Sequence, residues 1–162
     1  MRVFSALGFA LGAIGCVSSA LAYDVAPVSG GGTIKGKVTF NGTVPTRTVL
    51  PTKDQKVCGD VRKEALIKVG PDKGVQDAVL SIAGIAKGKA WAATAAKPHI
   101  DNKDCLFLPR VQVVPQGKLA VVNSDPVLHN THGFYDKRTA FNLALPNQGQ
   151  SIDVDVTLPG II

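Results

Sequence analysis

The feature that most constrains the fold is a series of short apolar segments, each bounded by Gly, Pro, Asn or Asp. In residues 151–158 (SIDVDVTL) every second residue is apolar, and the residues between them are Ser, Asp or Thr. This period of two predicts a β-strand with one buried and one solvated face. Further short segments of this kind are residues 33–40, 65–69, 75–82, 105–107, 111–114, 118–123 and 139–145. About eight short strands at this spacing predict an all-β domain, and a Greek-key β-sandwich is its expected architecture.

Residues 84–96 interrupt this series with an Ala- and Lys-rich stretch around the single tryptophan, Trp91. Alanine favours a helix, whereas Gly84 and Gly88 oppose one, so we expect a short helix or a loop that lies against the sandwich. A single tryptophan in such a stretch is typical of a side chain that fills the core. The alternative is a redox or ligand-stacking role for Trp91.

The N-terminus has the pattern of an export signal. Residues 1–22 contain one basic residue, an apolar stretch at 3–17, and Ala20-Leu21-Ala22 before Tyr23, which predicts a secretory signal peptide. A competing interpretation makes Cys16 the lipidated residue of a lipoprotein. No later segment approaches the length of a membrane span. We therefore expect a periplasmic or secreted protein, with a flexible Gly-rich leader at 23–32 and one domain at 33–162.

Charge and motifs exclude several classes of function. The formal net charge is +6, but the lysines are scattered and form no basic cluster with interleaved aromatics, so nucleic-acid binding is not expected. The chain has no nucleophile-elbow, phosphate-loop, dinucleotide-binding or zinc-protease motif. The carboxylates are dispersed among turns and outward strand positions. The sequence therefore predicts a protein that is not an enzyme.

Export determines how the cysteines are interpreted. Cys16 lies within the signal, so the mature chain carries Cys58 and Cys105 into an oxidising compartment. Two cysteines in that setting most often form one disulfide, which predicts a Cys58–Cys105 bond. The alternative, in which Cys105 is a thiolate ligand of a metal, also stays open at this stage.

Residues 123–135 (NSDPVLHNTHGFY) are the most informative stretch of the chain. They follow an apolar strand and begin with Asn-Ser-Asp-Pro, a sequence that ends strands and turns the backbone. His129 should therefore lie just past a strand end, where a neutral imidazole nitrogen can bind a metal. Asn130 directly follows it and can hold a neighbouring loop. His99, in contrast, has the surroundings of a solvated loop residue.

The run Cys-Leu-Phe-Leu-Pro-Arg-Val from position 105, followed by VVPQGKLAVVNSDPVLHNTHGFY, resembles the periplasmic plastocyanin-like (cupredoxin) proteins. These are often described as methylamine-utilisation or carboxypeptidase-regulatory-like proteins. In that family the pattern Asn-x-Asp-x-x-x-His, here Asn123, Asp125 and His129, supplies the first copper ligand. The resemblance implies a cupredoxin-type sandwich, copper as cofactor, and electron transfer in the cell envelope with a redox partner protein.

One departure from that family limits what the resemblance implies. A blue-copper site needs a second histidine, a cysteine and usually a methionine, and after His132 the sequence contains none of these. We expect His129 to be the main metal ligand and His132 the second, with Asn123, Asp125 and Asn130 supporting them in an incomplete type 1 site. Positions three apart on a regular strand face opposite ways, so both histidines can share one ion only if a turn or bulge separates them.

Two further expectations follow from this departure. The sandwich is expected to lack its last strands, and an unpaired strand edge would favour self-association. A function from another class also stays open, namely a secreted β-sandwich without a metal that binds a partner protein or a carbohydrate through its loops.

Overall fold

The computed structural model describes residues 24–92 and 96–162. The predicted signal peptide, including Cys16, lies outside the described residues. Within them β-strands predominate, and the single helical segment is one turn, α1, at Gln55–Cys58. The all-β prediction is confirmed at this level. In these two ranges no helix has the length and apolar character needed to cross a membrane.

The strands form one four-stranded sheet and three two-stranded pairs. The four-stranded sheet has the order β10-β7-β5-β6, and the pairs are β8-β9, β2-β3 and β1-β4. In chain order the strands are β1 (Asp24–Val25), β2 (Thr46–Val49), β3 (Arg62–Ala65), β4 (Lys87–Gly88), β5 (His99–Lys103), β6 (Leu106–Leu108), β7 (Gly117–Asn123), β8 (His129–Tyr135), β9 (Arg138–Leu145) and β10 (Ser151–Val156).

Strand β7 is the centre of the larger sheet. It pairs antiparallel with β10, where Val121 lies opposite Ile152, and parallel with β5, where Val121 lies opposite Ile100. A strand with neighbours on both sides is shielded from water, which suits the apolar sequence LAVV. The predicted strands at 118–123, 139–145 and 151–158 correspond to β7, β9 and β10.

The hydrophobic core lies between this sheet and the β8-β9 hairpin. Its buried side chains come from three strands and pack into one cluster: Leu119, Val121, Phe141, Leu145, Val154 and Val156. The apolar positions of β10 alternate with Asp153 and Asp155, so only one face of this strand enters the core. Two β-layers therefore pack face to face.

A polar link crosses between the two layers. Asn102 of β5 is buried, and its side-chain amide donates to the Val122 carbonyl at 2.8 Å and to Thr131 Oγ1 of β8 at 2.9 Å. Thr131 Oγ1 also lies 3.2 Å from Asn102 Oδ1. Buried polar groups destabilise a fold unless they are hydrogen-bonded. Asn102 and Thr131 bond to each other, so neither is left without a partner, and the bond joins the two layers.

Several predicted elements are absent from the described residues. Residues 33–40 contribute one isolated bridge, between Thr39 and Gly74, and residues 75–82 also contribute one, between Val75 and Val69. Residues 111–114 form no strand, and no helix occurs in the described part of 84–96. Trp91 is 53% exposed, so its prediction as a core residue is wrong. Alternation alone does not make a strand, because a strand also needs a partner and an apolar layer to cover it.

Burial is distributed unevenly along the chain. None of residues 24–92 is buried, whereas all buried residues among those described lie between 102 and 156. The β2-β3 hairpin and helix α1 connect to the core region through the Cys58–Cys105 disulfide and a hydrogen bond from Arg110 to the Ala65 carbonyl. In the segment predicted as a flexible leader, Asp24–Val25 pair with Lys87–Gly88.

Candidate functional site

The Asp125 carboxylate is the centre of the polar site at the end of β7. Asp125 is 4% exposed, and its side chain accepts three hydrogen bonds. The backbone amide of Asp104 donates to Oδ1 at 2.8 Å, and the amide of Cys105 donates to Oδ2 at 2.9 Å. The third partner is His129, whose Nε2 lies 2.7 Å from Oδ2. One carboxylate therefore joins the β5-β6 turn to the start of β8.

The two amides come from a tight turn. Asp104 and Cys105 connect β5 to β6, and both have positive φ angles, 54° and 56°. This is the pattern of a type I′ turn, the two-residue connection that matches the twist of a hairpin. Aspartate tolerates the left-handed region, whereas cysteine is seldom found there. The hydrogen bonds to Asp125 and the disulfide of Cys105 hold the turn in this conformation.

Asn123 sets the position of Asp125. Its side chain is fully buried, its Oδ1 accepts the backbone amide of Asp125 at 2.9 Å, and its Nδ2 donates to the carbonyls of Val127 and Leu145. An Asn side chain that binds the amide two residues later forms an Asx turn, so it bends the chain directly after β7. We refer to Asn123, Asp125, His129 and the Asp104–Cys105 turn as the Asp125 corner.

Hydrogen bonding lowers the pKa of Asp125 below the usual value of an aspartate. Burial by itself would raise this pKa, because it removes water from the charged form. Hydrogen-bond donors outweigh the effect of burial. The amides of Cys105 and Asp104, followed by the His129 imidazole, stabilise the ionised carboxylate and so lower its pKa. Asp125 is therefore ionised at neutral pH and can only accept hydrogen bonds.

This charge state fixes the tautomer of His129. Because the carboxylate has no proton to give, His129 must donate from Nε2, and the lone pair of the neutral ring is then on Nδ1. A carboxylate that orients a histidine in this way is the usual partner of a metal-binding imidazole. His129 is partly buried and borders an open groove of about 450 Å³, which is also lined by Leu50, Leu128, Cys58 and Cys105.

The structure separates the other histidines from this site. Strand β8 is regular through residues 129–133 and its bulge falls between Gly133 and Phe134, so His132 faces away from His129. His132 Nε2 lies 2.9 Å from Thr139 Oγ1, and its ring contacts Phe134. The condition for a shared ion, a turn or bulge at Asn130-Thr131, is not met. Asn130 is exposed beside the groove, and His99 lies in β5.

The sulfur atoms near the Asp125 corner belong to a disulfide and are not free thiols. Cys58 and Cys105 form the predicted disulfide, with Cα atoms 5.1 Å apart. The potential ligand atoms of Cys105, Asp125 and His129 all lie within 4.8 Å of one another. In a disulfide, however, Cys105 cannot act as a thiolate. A type 1 copper site requires a thiolate and two imidazoles, so the described residues do not fit that centre.

Several contacts of this site carry little signal in the sequence. The amides of Asp104 and Cys105 belong to the backbone, so the residue types at these positions do not indicate that the amides take part in the site. Ser124 Oγ donates to Asp101 Oδ2 at 2.8 Å, and Gln148 donates to the Ser124 carbonyl, which adds further links around the turn. The Asn-Ser-Asp-Pro sequence predicted the turn itself, and the resemblance to plastocyanin-like proteins indicated Asn123 and Asp125 as residues of the site.

Comparison with protein-family models, with curated proteins and with solved structures finds no match to this chain.

Proposed function

We propose that this chain is an exported cupredoxin-like domain of the cell envelope that binds copper through His129. The proposed fold is a Greek-key sandwich, and its support is the packing of the β8-β9 hairpin on a sheet with order β10-β7-β5-β6. The resemblance of residues 105–135 to plastocyanin-like proteins gives the choice of copper.

The observation that carries this proposal is the 2.7 Å contact between His129 Nε2 and Asp125 Oδ2. It leaves Nδ1 as the nitrogen with a lone pair, and it fixes the ring plane before any ion binds. Asn123 and the Asp104–Cys105 turn hold the carboxylate in place. Such preorganisation lowers the cost of binding, because fewer side chains must be ordered.

Copper would supply a redox-active ion at the edge of the groove. With one oriented imidazole and no free thiolate among the described residues, the site favours Cu(II), holds it weakly and lacks an intense blue colour. The contribution of the protein is to orient the ring through Asp125 and to limit solvent access around a partly buried His129. Electron transfer to a partner protein would take place at this exposed edge.

Copper titration of the oxidised mature chain tests the proposal. We expect His129→Ala to lose the binding, and Asp125→Asn to weaken it by on the order of 10-fold, because the ring is no longer held by a charged partner. His132→Ala is the matched control, since this histidine lies on the opposite face of the same strand, and it should bind as the wild type does. Equal Cu(II) affinity in wild type and His129→Ala would contradict the proposal.

A second candidate function is a partner-binding module without a metal. The groove beside His129 supports it, because two of its lining residues are large apolar side chains with high exposure, Leu50 at 63% and Leu128 at 58%. Exposed apolar side chains around a concave surface are typical of binding sites for protein or carbohydrate partners. The copper titration separates the two functions, since a partner-binding module has no copper binding that depends on His129.

A further inference from the structure

We propose that reduction of the Cys58–Cys105 disulfide creates a zinc site at the Asp125 corner, with the two cysteine thiolates, a ring nitrogen of His129 and the Asp125 carboxylate as its four ligands. This inference concerns the reduced chain and does not depend on copper binding by the oxidised one. It assigns a different metal, a different ligand set and a different redox state from the proposed function.

Geometry is the first support. One ligand atom from each of Cys105, Asp125 and His129 lies within 4.8 Å of the others, and Cys58 Sγ is bonded to Cys105 Sγ. Bonds of about 2.0–2.3 Å to a tetrahedral ion place its ligand atoms about 3.3–3.8 Å apart. The four groups therefore need only small side-chain movements to surround one ion. The Cα atoms of the two cysteines, 5.1 Å apart, already bring both sulfurs to the same point.

The backbone keeps three of these groups in place without the disulfide. Cys105 lies in a two-residue turn whose amides bind Asp125, and Asp125 is positioned by the Asx turn of Asn123. His129 begins β8, which is paired along its length with β9. Cys58 has the most freedom, because it ends helix α1 in the unburied N-terminal part of the chain. Its carbonyl accepts a hydrogen bond from Arg62 at 2.9 Å.

The chemistry balances with a dithiol as reductant. The dithiol transfers two electrons and two protons to the S–S bond, becomes a disulfide itself and leaves Cys58 and Cys105 as thiols. Zinc then displaces one proton from each thiol, forming two Zn–S bonds. Both cysteines line the open groove, so a dithiol and the ion can reach them. The two thiolates and the carboxylate carry three negative charges against the two positive charges of the ion.

The donor set selects zinc over harder cations. Two thiolates, one imidazole and one carboxylate match the tetrahedral N, S and O ligands that zinc prefers, whereas calcium and magnesium require mostly oxygen. Four ligands from the protein make a closed site, which is the arrangement of structural rather than catalytic zinc. Zinc binding should therefore stabilise the reduced chain and take over the link that the disulfide provides between α1 and the core region.

The test compares zinc binding to the reduced and oxidised mature chain by titration against a chelating indicator, with Co²⁺ as a spectroscopic probe. We expect one equivalent of Zn²⁺ to bind to the reduced chain on the order of 100-fold more tightly than to the oxidised chain. Reduced chain loaded with Co²⁺ should show thiolate-to-metal charge-transfer absorption. Cys58→Ser and His129→Ala, both reduced, should each lose on the order of 10-fold or more in affinity, and His132→Ala should lose none.

The result that would overturn the inference is equal zinc affinity in reduced wild type and reduced His129→Ala. That comparison holds even if the metal-free reduced chain unfolds, because two cysteines in an unfolded chain bind zinc without help from His129. A finding that the oxidised chain does not bind copper would not change the zinc affinity of the reduced chain. The copper proposal and the zinc proposal can therefore be refuted independently.

Discussion

Asp125 shows how one side chain can tie distant parts of this chain together. Its carboxylate accepts backbone amides from residues 104 and 105 and the ring of His129, while its own amide binds Asn123. Each donor loses its partner if the carboxylate is removed, and buried donors without partners cost about 1–3 kcal/mol each. The stability of the corner therefore depends on the charge of this residue.

Asp125→Asn should destabilise the metal-free oxidised chain by about 2 kcal/mol at neutral pH, because a neutral amide accepts more weakly and brings a donor toward Cys105 or His129. The pKa of Asp125 is lowered in the folded chain. Its stabilisation is therefore complete above the unfolded pKa of about 3.9 and is lost as the pH falls through the lower folded pKa. Urea unfolding at several pH values should show the wild type and the variant converging in acid.

Asp104→Asn is the matched control for this measurement. It removes a neighbouring carboxylate whose side chain is exposed, while asparagine tolerates the positive φ of this turn position. We expect nearly unchanged stability at neutral pH. A wild-type advantage over Asp125→Asn that stays constant down to strong acid would contradict the role assigned to the carboxylate.

The sequence predicted those strands in which the alternation of apolar and polar residues coincides with burial in the structure. Strands β7, β9 and β10 have apolar positions that enter the core, and their spacing identified them. Strand β5 (His-Ile-Asp-Asn-Lys) was missed, because its buried position is Asn102 rather than an apolar residue. Strand β8 was missed for the same reason, since its buried positions are Thr131 and Gly133. Polar residues that are buried through specific hydrogen bonds leave no hydrophobic periodicity.

The residues of the site were predictable only where they lie close together in the sequence. The Asn-Ser-Asp-Pro sequence and His129 were recognisable because they are local in the chain. The approach of Cys105 to Asp125 and His129 depends on how the β5-β6 hairpin lies against the end of β7, which no local pattern encodes. Separation of His129 from His132 followed from strand geometry once β8 proved regular.

Gly133→Ala tests the close packing of the β8-β9 hairpin. A Cβ at this position would lie 2.6 Å from two ring carbons of Phe141 and 3.0 Å from a methyl group of Ile162. The aromatic ring would have to leave its place in the core, so we expect a loss of about 1–3 kcal/mol in the free energy of unfolding.

Two further variants make this measurement specific. Gly36→Ala serves as the control, because nothing lies within 4 Å of a Cβ there, and its stability should be close to that of the wild type. The double variant Gly133→Ala with Phe141→Leu should be less destabilised than the sum of the two single variants, because the smaller side chain gives the new methyl group room. Strict additivity in thermal or urea unfolding would argue against a clash.

For the whole molecule, the disulfide joins two regions that differ in burial. Residues 24–92 contain no buried side chain, while the core lies between 102 and 156. The bond closes a loop across a sequence separation of 47 residues. In the chain-entropy model, closing a loop of this length stabilises the folded state by about 4 kcal/mol.

Reduction in the absence of metal should therefore release the N-terminal region before the core unfolds. We expect limited proteolysis of the reduced chain to cut first within residues 50–92 and to leave a fragment that contains β5 to β10. Cys58→Ser should behave like the reduced wild type, and the oxidised wild type should resist cleavage longest. Mass spectrometry identifies the fragments and their rates of formation. Equal rates of cleavage in the oxidised and reduced chains would show that the disulfide does not hold residues 50–92 in place.

The buried pair Asn102 and Thr131 has a consequence for errors in assembly. If β5 slipped by one residue along β7, Asn102 would turn toward solvent and Ile100 and Asp101 would change faces, with a carboxylate directed into an apolar layer. Thr131 would then be left buried without its partner. An apolar pair at these two positions would tolerate such a slip far better. The two polar side chains thus favour the native register of β5 on β7, because a shifted register leaves a buried polar group without a hydrogen-bond partner.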